Sequence, residues 1–268
     1  MTKAKKQAGD RYTVPGLERG LLLLCEFSRQ EPVLGAPELS RRLDIPRTTV
    51  FRLLNTLENM GFIEKVEGGH AYRLGIGVLK LGFEYLASLE MTELSEPILR
   101  RVRDETGLSC NLAVRDGQSV VIIAKIAAPT PFVSTVHVGT RLPLHATLLG
   151  RVLLSDMSLE ELRQIYPEDE LERFSARTPR NTKELYELVR KDAERGYGYD
   201  EAFFEPEVAS AAVAVRDRTG ELRAVLGVTI PVRYLQTRDL NPEQLVKIVR
   251  DAANELSSAL GYFRAQRK

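Results

Sequence analysis

The sequence predicts an α+β chain built from two unlike domains, and three observations point there. Its 268 residues are about twice the length of one ordinary domain. Roughly the first 75 residues read as three short amphipathic helices followed by a hairpin, a pattern that does not recur. From Leu94 onward, hairpin-linked strand patterns are interspersed with helical ones, as in a mostly antiparallel sheet with flanking helices. Hydrophobic residues make up 43% and charged residues 28%, a balance that excludes wholesale disorder.

Residues 1–12 are polar and basic, the composition of a mobile arm, and no apolar segment follows that would make them a signal peptide. Pro15 and Gly16 mark the entry to a first helix, in which Leu17, Leu21, Leu24 and Cys25 share a face. A second helix is predicted over PELSRRL, where Leu39 and Leu43 lie four apart and Pro37 suits the first turn. Asp44-Ile45-Pro46 breaks it. A third helix runs from about Arg47 to Met60, with Val50, Leu53, Leu54 and Leu57 on one face, and Gly61 ends it. Two short strands, 62–66 and 71–74, flank Gly68-Gly69, a dipeptide that tolerates the positive φ of a tight turn.

Residues 75–89 are again helical, with Ile76, Leu79, Phe83 and Leu86 spaced as a short a/d seam. The expected division is therefore 1–74, a linker helix over 75–90, and a second domain over 91–268. In that domain a helix is expected at 94–106, then strands at 109–115 and 119–126 joined by Asp116-Gly117. Strand character returns at 132–138. Helices follow at 145–155, 158–165 and 182–195, then strands at 198–203, 208–215 and 222–230. A long helix over 241–264 closes the chain, with Pro242 in its first turn and Leu245, Ile248, Val249, Ala252, Leu256 and Leu260 on one face.

Thirty-eight Lys+Arg against 37 Asp+Glu leave a net charge of +1, so a nucleic-acid partner must be recognised through a local patch. No purely apolar run is longer than that from Leu21 to Cys25, far short of the ~20 residues that span a bilayer, so no membrane partner is expected. Cys25 and Cys110 are far apart, each within an apolar pattern. Buried thiols in a reducing cytoplasm are the expected reading, ahead of a disulfide or a metal pair.

One such patch exists. Over Ala36–Leu57, the apolar residues Leu39, Leu43, Ile45, Val50, Leu53 and Leu57 can lock two helices at a fixed angle. This leaves Arg47, Thr48, Thr49, Phe51 and Arg52 at the start of the second helix, the end that enters the major groove in a helix-turn-helix. Arginine can pair bidentately with guanine O6 and N7, and threonine can bond a base edge or touch a thymine methyl. Ser40 and Arg41 or Arg42 are placed to meet phosphates. The hairpin, with Lys65, Arg73 and the tip Gly68-Gly69-His70, reads as a wing along a duplex. Arginines that merely solvate an ordinary helix pair are the competing reading.

The blocks VPGLERGLLLL, ELSRRLDIPRTTVFRLLNTLENMGFI and EKVEGGHAYRLG resemble the IclR-type bacterial transcriptional regulators. LPLHATLLGRVLL (142–154) and RGYGYDEAFFEPEVASAAVAVRD (195–217) agree, so the resemblance covers about Val14 to Phe263. It implies a winged helix-turn-helix, a linker helix and a C-terminal GAF-like effector-binding domain. It also implies a double-stranded DNA operator, a small-molecule effector, and homodimers formed through the N-terminal region, often assembled into homotetramers.

Catalytic elements are sparse. His70, His137 and His145 are the only histidines and show no metal-binding spacing. No GxSxG elbow, phosphate loop or dinucleotide fingerprint occurs, so neither an enzyme nor a cofactor is expected. The segment LPLHATLLG places His145 and Thr147 at a helix start that could favour an anion, although Thr147 reads equally as a plain N-cap. By motif position the resemblance assigns the effector cavity to Leu142, His145, Thr147, Leu148, Gly150, Asp200, Ser210, Gly227 and Thr229. The small residues Ser210, Ala211, Ala212 and Gly227 leave room for a ligand or else permit close sheet packing. The expectation is a metabolite-sensing DNA-binding regulator, its effector an organic acid or aromatic catabolite. The alternative is an effector-independent regulator whose second domain only oligomerises.

Overall fold

The computed structural model describes residues 13–66, 68–87, 90–128, 136–232, 234 and 241–262, without the side chains of 83–87. The chain forms two compact units, Met1–Ser88 and Leu89–Lys268. The expected N-terminal arm, residues 1–12, lies outside the described residues.

In the first unit, α1 (Pro15–Cys25) precedes a short strand β1 (Leu34–Gly35), then α2 (Ala36–Leu43), α3 (Arg47–Asn59), β2 (Ile63–Lys65), β3 (Ala71–Leu74) and α4 (Gly77–Ala87). The strands form an antiparallel sheet in the order β1-β3-β2. β1, only two residues long, carries no period that sequence could reveal. Leu23, Leu39, Val50, Leu54, Ile63 and Tyr72 are at most 3% exposed and close one small core. Asp44 turns α2 into the next segment with a left-handed φ of 52°, and Ile45 drops into the core behind it.

Two sequence expectations change here. On α1 the buried residues are Gly20 and Leu23, whereas Leu17 and Leu21 are exposed, so the packed face is offset from the predicted one. Leu24 straddles its edge as a partly buried residue. Cys25 lies on the exposed side, not inside the protein, while Cys110 is buried as expected. Within the seam, Ile76 and Leu79 are exposed, and the side chains of Phe83 and Leu86 fall outside the described residues.

The second unit runs α5 (Glu90–Thr106), β4 (Ser109–Asp116), β5 (Ser119–Ile126), β6 (Arg141–Pro143), α6 (Leu148–Leu153), α7 (Leu159–Ile165), α8 (Thr182–Arg195), β7 (Gly198–Glu201), β8 (Val208–Arg216), β9 (Leu222–Pro231) and α9 (Pro242–Ala259). Its six strands form one wholly antiparallel sheet in the order β6-β5-β4-β9-β8-β7. Helices α5 and α9 pack on this sheet and on each other, burying Leu99, Val102, Leu245, Val249 and Leu256. Helix α6 also lies on the sheet and joins α7 and α8 in a core with Ala113, Ile122, Ala212 and Val225.

Helix α6 is shorter than the 145–155 expected, because residues 144–147 form a turn that Thr147 caps. Most of the strand expected at 132–138 lies outside the described residues, and 136–138 are not in a strand. No described helix is long and apolar enough to cross a membrane.

Candidate functional site: a basic helix start and a lined cavity

In the first unit, the α2–α3 turn is fastened from within. Ser40 Oγ donates to the Ile45 carbonyl at 2.6 Å, and the Ile45 N–H donates to the Ser40 carbonyl at 3.2 Å. The Ser40 hydroxyl, expected at a phosphate, is thus engaged in holding the turn. Arg41 and Arg42 are also engaged. Glu38 takes Arg41 and Arg42 at 2.6 Å each, and Glu31 takes Arg42 at 2.7 Å. These hydrogen bonds, Arg41 first, hold the Glu38 carboxyl down to about 2. In the wing, Arg73 pairs with Glu64 at 2.5 Å and Lys65 with Glu58 at 2.7 Å.

Arg47 and Arg52 differ from all of these. Both are exposed, and neither has an ion pair among the described residues. They flank Thr48, Thr49 and the half-exposed Phe51 on the first turns of α3. The helix start carries no acid and no side-chain cap, so the first N–H groups and the helix dipole face outward beside two free guanidinium groups. A surface of this kind can take phosphate oxygens and base edges together.

In the second unit, strand register gathers a polar row on one sheet face. Asn111 lies opposite Gly227, Thr229 opposite Ser210, and Ser210 opposite Asp200, so their side chains share that face across four strands. Above the row is a cavity of about 290 Å³, lined by Leu142, Thr147, Leu148, Asp200, Ser210, Gly227 and Thr229 from the residues anticipated by sequence. Asn111, Thr140, Leu149, Phe203 and Phe204 also line it, and sequence reading passed over them. Asn111 had a visible signal, a lone amide among apolar residues of a strand. The two phenylalanines sit in the loop after β7 and had none.

His145 and Gly150 are not on the cavity wall. His145 is buried, gives its Nε2 hydrogen to the Glu172 carbonyl at 2.8 Å, and meets the Tyr166 ring edge-on at 5.7 Å. Gly150 is a packing glycine, since a Cβ there would lie 1.8 Å from the Leu144 carbonyl oxygen. Gly227 serves packing and cavity together: a Cβ would meet Leu149 at 2.5 Å, so its bareness lets α6 approach the sheet. Thr147 acts as the N-cap, accepting from the Gly150 N–H at 3.2 Å while donating to the Pro143 carbonyl. With six residues, α6 is too short to present an anion site of its own.

Asp200 is tied into a buried charge network. Arg151, 3% exposed, reaches both carboxylate oxygens of Asp192 at 2.8 and 2.9 Å and also Asp200 at 2.7 Å. Arg177 takes the other Asp200 oxygen at 2.6 Å, and the Phe203 ring centre lies 4.4 Å from the Arg151 guanidinium carbon. Two arginines and two aspartates thus balance one another. Burial pushes the Asp192 carboxyl up, against the pull of Arg151. A lone arginine in the apolar run LLGRVLL was the sequence signal for this network, but its partners lie 41 and 49 residues away.

Comparison with known proteins agrees with both units. Residues 16–67 match the IclR helix-turn-helix domain and residues 83–258 the C-terminal domain of the bacterial transcriptional regulator IclR. The chain is 29% identical to the HTH-type transcriptional repressor AllR of Escherichia coli K12 over 91% of its own length and 90% of that protein's. It is also 29% identical to the Pca regulon regulatory protein of Pseudomonas putida, over 94% and 86%. The fold is shared with an IclR homologue of Microbacterium hydrocarbonoxydans crystallised with 4-hydroxybenzoate (TM-score 0.80, 23% identity, 91% and 98% covered). With a winged unit presenting two arginines that have no ion pair among the described residues, and both domains matched along most of its length, the chain belongs to the IclR family of DNA-binding bacterial transcriptional regulators.

Proposed function

We propose that the cavity of the second unit holds a small organic acid or aromatic catabolite, and that its occupancy controls operator binding by the first unit. The observation that carries this reading is the cavity itself, which is walled by seven of the nine residues that the family resemblance assigned to it. A neighbour of the same fold was crystallised with 4-hydroxybenzoate, which supports a ring-sized occupant. Differential affinity of the effector for two arrangements of the assembly would shift the spacing of the recognition helices.

The DNA-contacting residues we assign are Arg47, Thr48, Thr49, Phe51 and Arg52, with Arg41 and Arg73 reaching phosphates once their acid partners yield. Ser40 supports the turn beneath them. Two units in a homodimer would read half-sites about 34 Å apart. The exposed Val14, Leu17 and Leu21 of the α1 segment, with Ile76, Leu79 and Leu81 at α4, are the apolar surface available for such pairing, and a tetramer would build on the dimer.

A metabolite panel against the full chain tests the reading. A true effector at about 100 times its Kd adds about 2.7 kcal/mol to the folded state and raises the unfolding temperature accordingly. It also changes operator affinity in a gel-shift titration. Ser210→Phe, which fills the cavity, removes both responses. A panel with no response, and a Ser210→Phe chain that binds operator like the wild type, would leave the second unit a purely oligomerising domain.

A further inference from the structure

One polar atom of a residue on the cavity wall stands apart from the rest. Asn111 Oδ1 is buried and has no hydrogen-bond partner in the protein, on a residue only 2% exposed. The same amide's Nδ2 makes only a long 3.5 Å contact to Thr229 Oγ1. An acceptor in this position carries its desolvation penalty uncompensated until something brings it a donor. Gly227, directly opposite in the register, has no side chain with which to do so.

The charges around the cavity narrow what that donor can be. Asp200 is held by Arg151 and Arg177, and Glu205 is exposed. Among the described residues, no lysine or arginine lines the wall. A carboxylate driven against Asn111 Oδ1 would therefore meet an acceptor and no cation, whereas an uncharged hydroxyl can donate to that free lone pair. For size, a cavity of about 150 Å³ accommodates benzene, so about 290 Å³ takes one ring with its substituents.

Resting on the effector reading above, we propose that Asn111 is a specificity-determining residue of this cavity and selects a single-ring ligand whose buried end is an uncharged hydroxyl. Any carboxylate on the same ligand points away from Asn111.

Thermal unfolding of the full chain tests this with phenol and benzyl alcohol against their methyl ethers, anisole and benzyl methyl ether, and against benzoate. The hydroxyl probes raise the unfolding temperature by at least about 2 °C more than the ethers or benzoate, the size of a single hydrogen bond in a domain of this length. In Asn111→Leu that preference disappears, while the unliganded protein unfolds at the same temperature or higher because the unpaired acceptor is gone. Asn111→Val, smaller and suited to a strand, covers the case in which leucine does not fit.

Benzoate stabilising the wild type more than the alcohols would overturn the assignment. So would a hydroxyl preference retained in both variants, or a wild type that responds to no probe at all. The metabolite panel and Ser210→Phe decide the effector reading separately, so a failure of the Asn111 assignment is distinguishable from a failure of that reading.

Discussion

The arginines at the start of α3 and the arginine inside α6 differ in burial, not in chemistry, and that difference separates recognition from support. Arg47 and Arg52 are exposed, with no acid partner among the described residues, so their donors are available to another molecule. Arg151 is almost wholly buried and its donors are divided between Asp192 and Asp200. Between these extremes stand Arg41 and Arg42, on the surface but occupied by Glu38 and Glu31. A positive patch read from composition over Ser40–Arg52 counts four arginines. Pairing reduces the immediately available ones to two.

The comparison can be broken most decisively at the buried end. Arg151→Met should strand the buried Asp192 carboxylate and leave Asp200 to Arg177 alone, at a cost of about 3–5 kcal/mol, as removal of one partner from a buried ion network does. The loss would appear as a lower urea midpoint for the full chain. An unchanged midpoint would mean that Arg151 is not supporting the fold, and the contrast would collapse.

At the recognition end, Arg47→Ala or Arg52→Ala should weaken operator binding by about 1–3 kcal/mol if either touches a base edge, with stability unaffected. Arg41→Ala should weaken it less than either, because Glu38 competes for that side chain. Fluorescence anisotropy on an operator fragment ranks the three, and Arg41→Ala proving the most damaging would invert the proposed order.

The smallest effect is a pH dependence. Glu38 has a folded-state value of about 2 against an ordinary value of 4.5, chiefly through its hydrogen bond from Arg41 and next from Arg42. A carboxyl depressed in this way contributes stability that is complete above pH 4.5 and is lost as pH falls towards 2. Glu38→Gln should flatten the unfolding temperature across that window. Identical profiles for variant and wild type would show the pair to be too solvated to matter.

How much of this was legible in the sequence depended on the distance between partners. Helices α2 and α3, their turn and the hairpin rest on neighbours a few residues apart, so apolar spacing and Gly68-Gly69 were sufficient to find them. The offset of α1 was not, because Leu17, Leu21 and Leu24 have the spacing of a core stripe whether the core or another surface covers them. The cavity wall was found mainly where family resemblance marked it. Asn111 meets Thr229 across 118 residues and Arg151 meets Asp200 across 49. Only the assembled fold, sheet register for the first and the seating of α6 for the second, reveals such meetings. Gly150 looked like a ligand position and is a steric necessity, a distinction that needs the Leu144 carbonyl in view.

The join between the hairpin and α4 has a mechanical consequence. Gly77 donates to the Gly61 carbonyl at 2.9 Å and Gly75 to Phe62 at 2.8 Å, and a Cβ at either glycine would sit within 2.6 Å of the Gly61 oxygen. The first turn of α4 is thereby bolted to the residues that immediately follow α3. The hairpin, the end of α3 and the first turn of α4 therefore form one stiff joint rather than a slack tether.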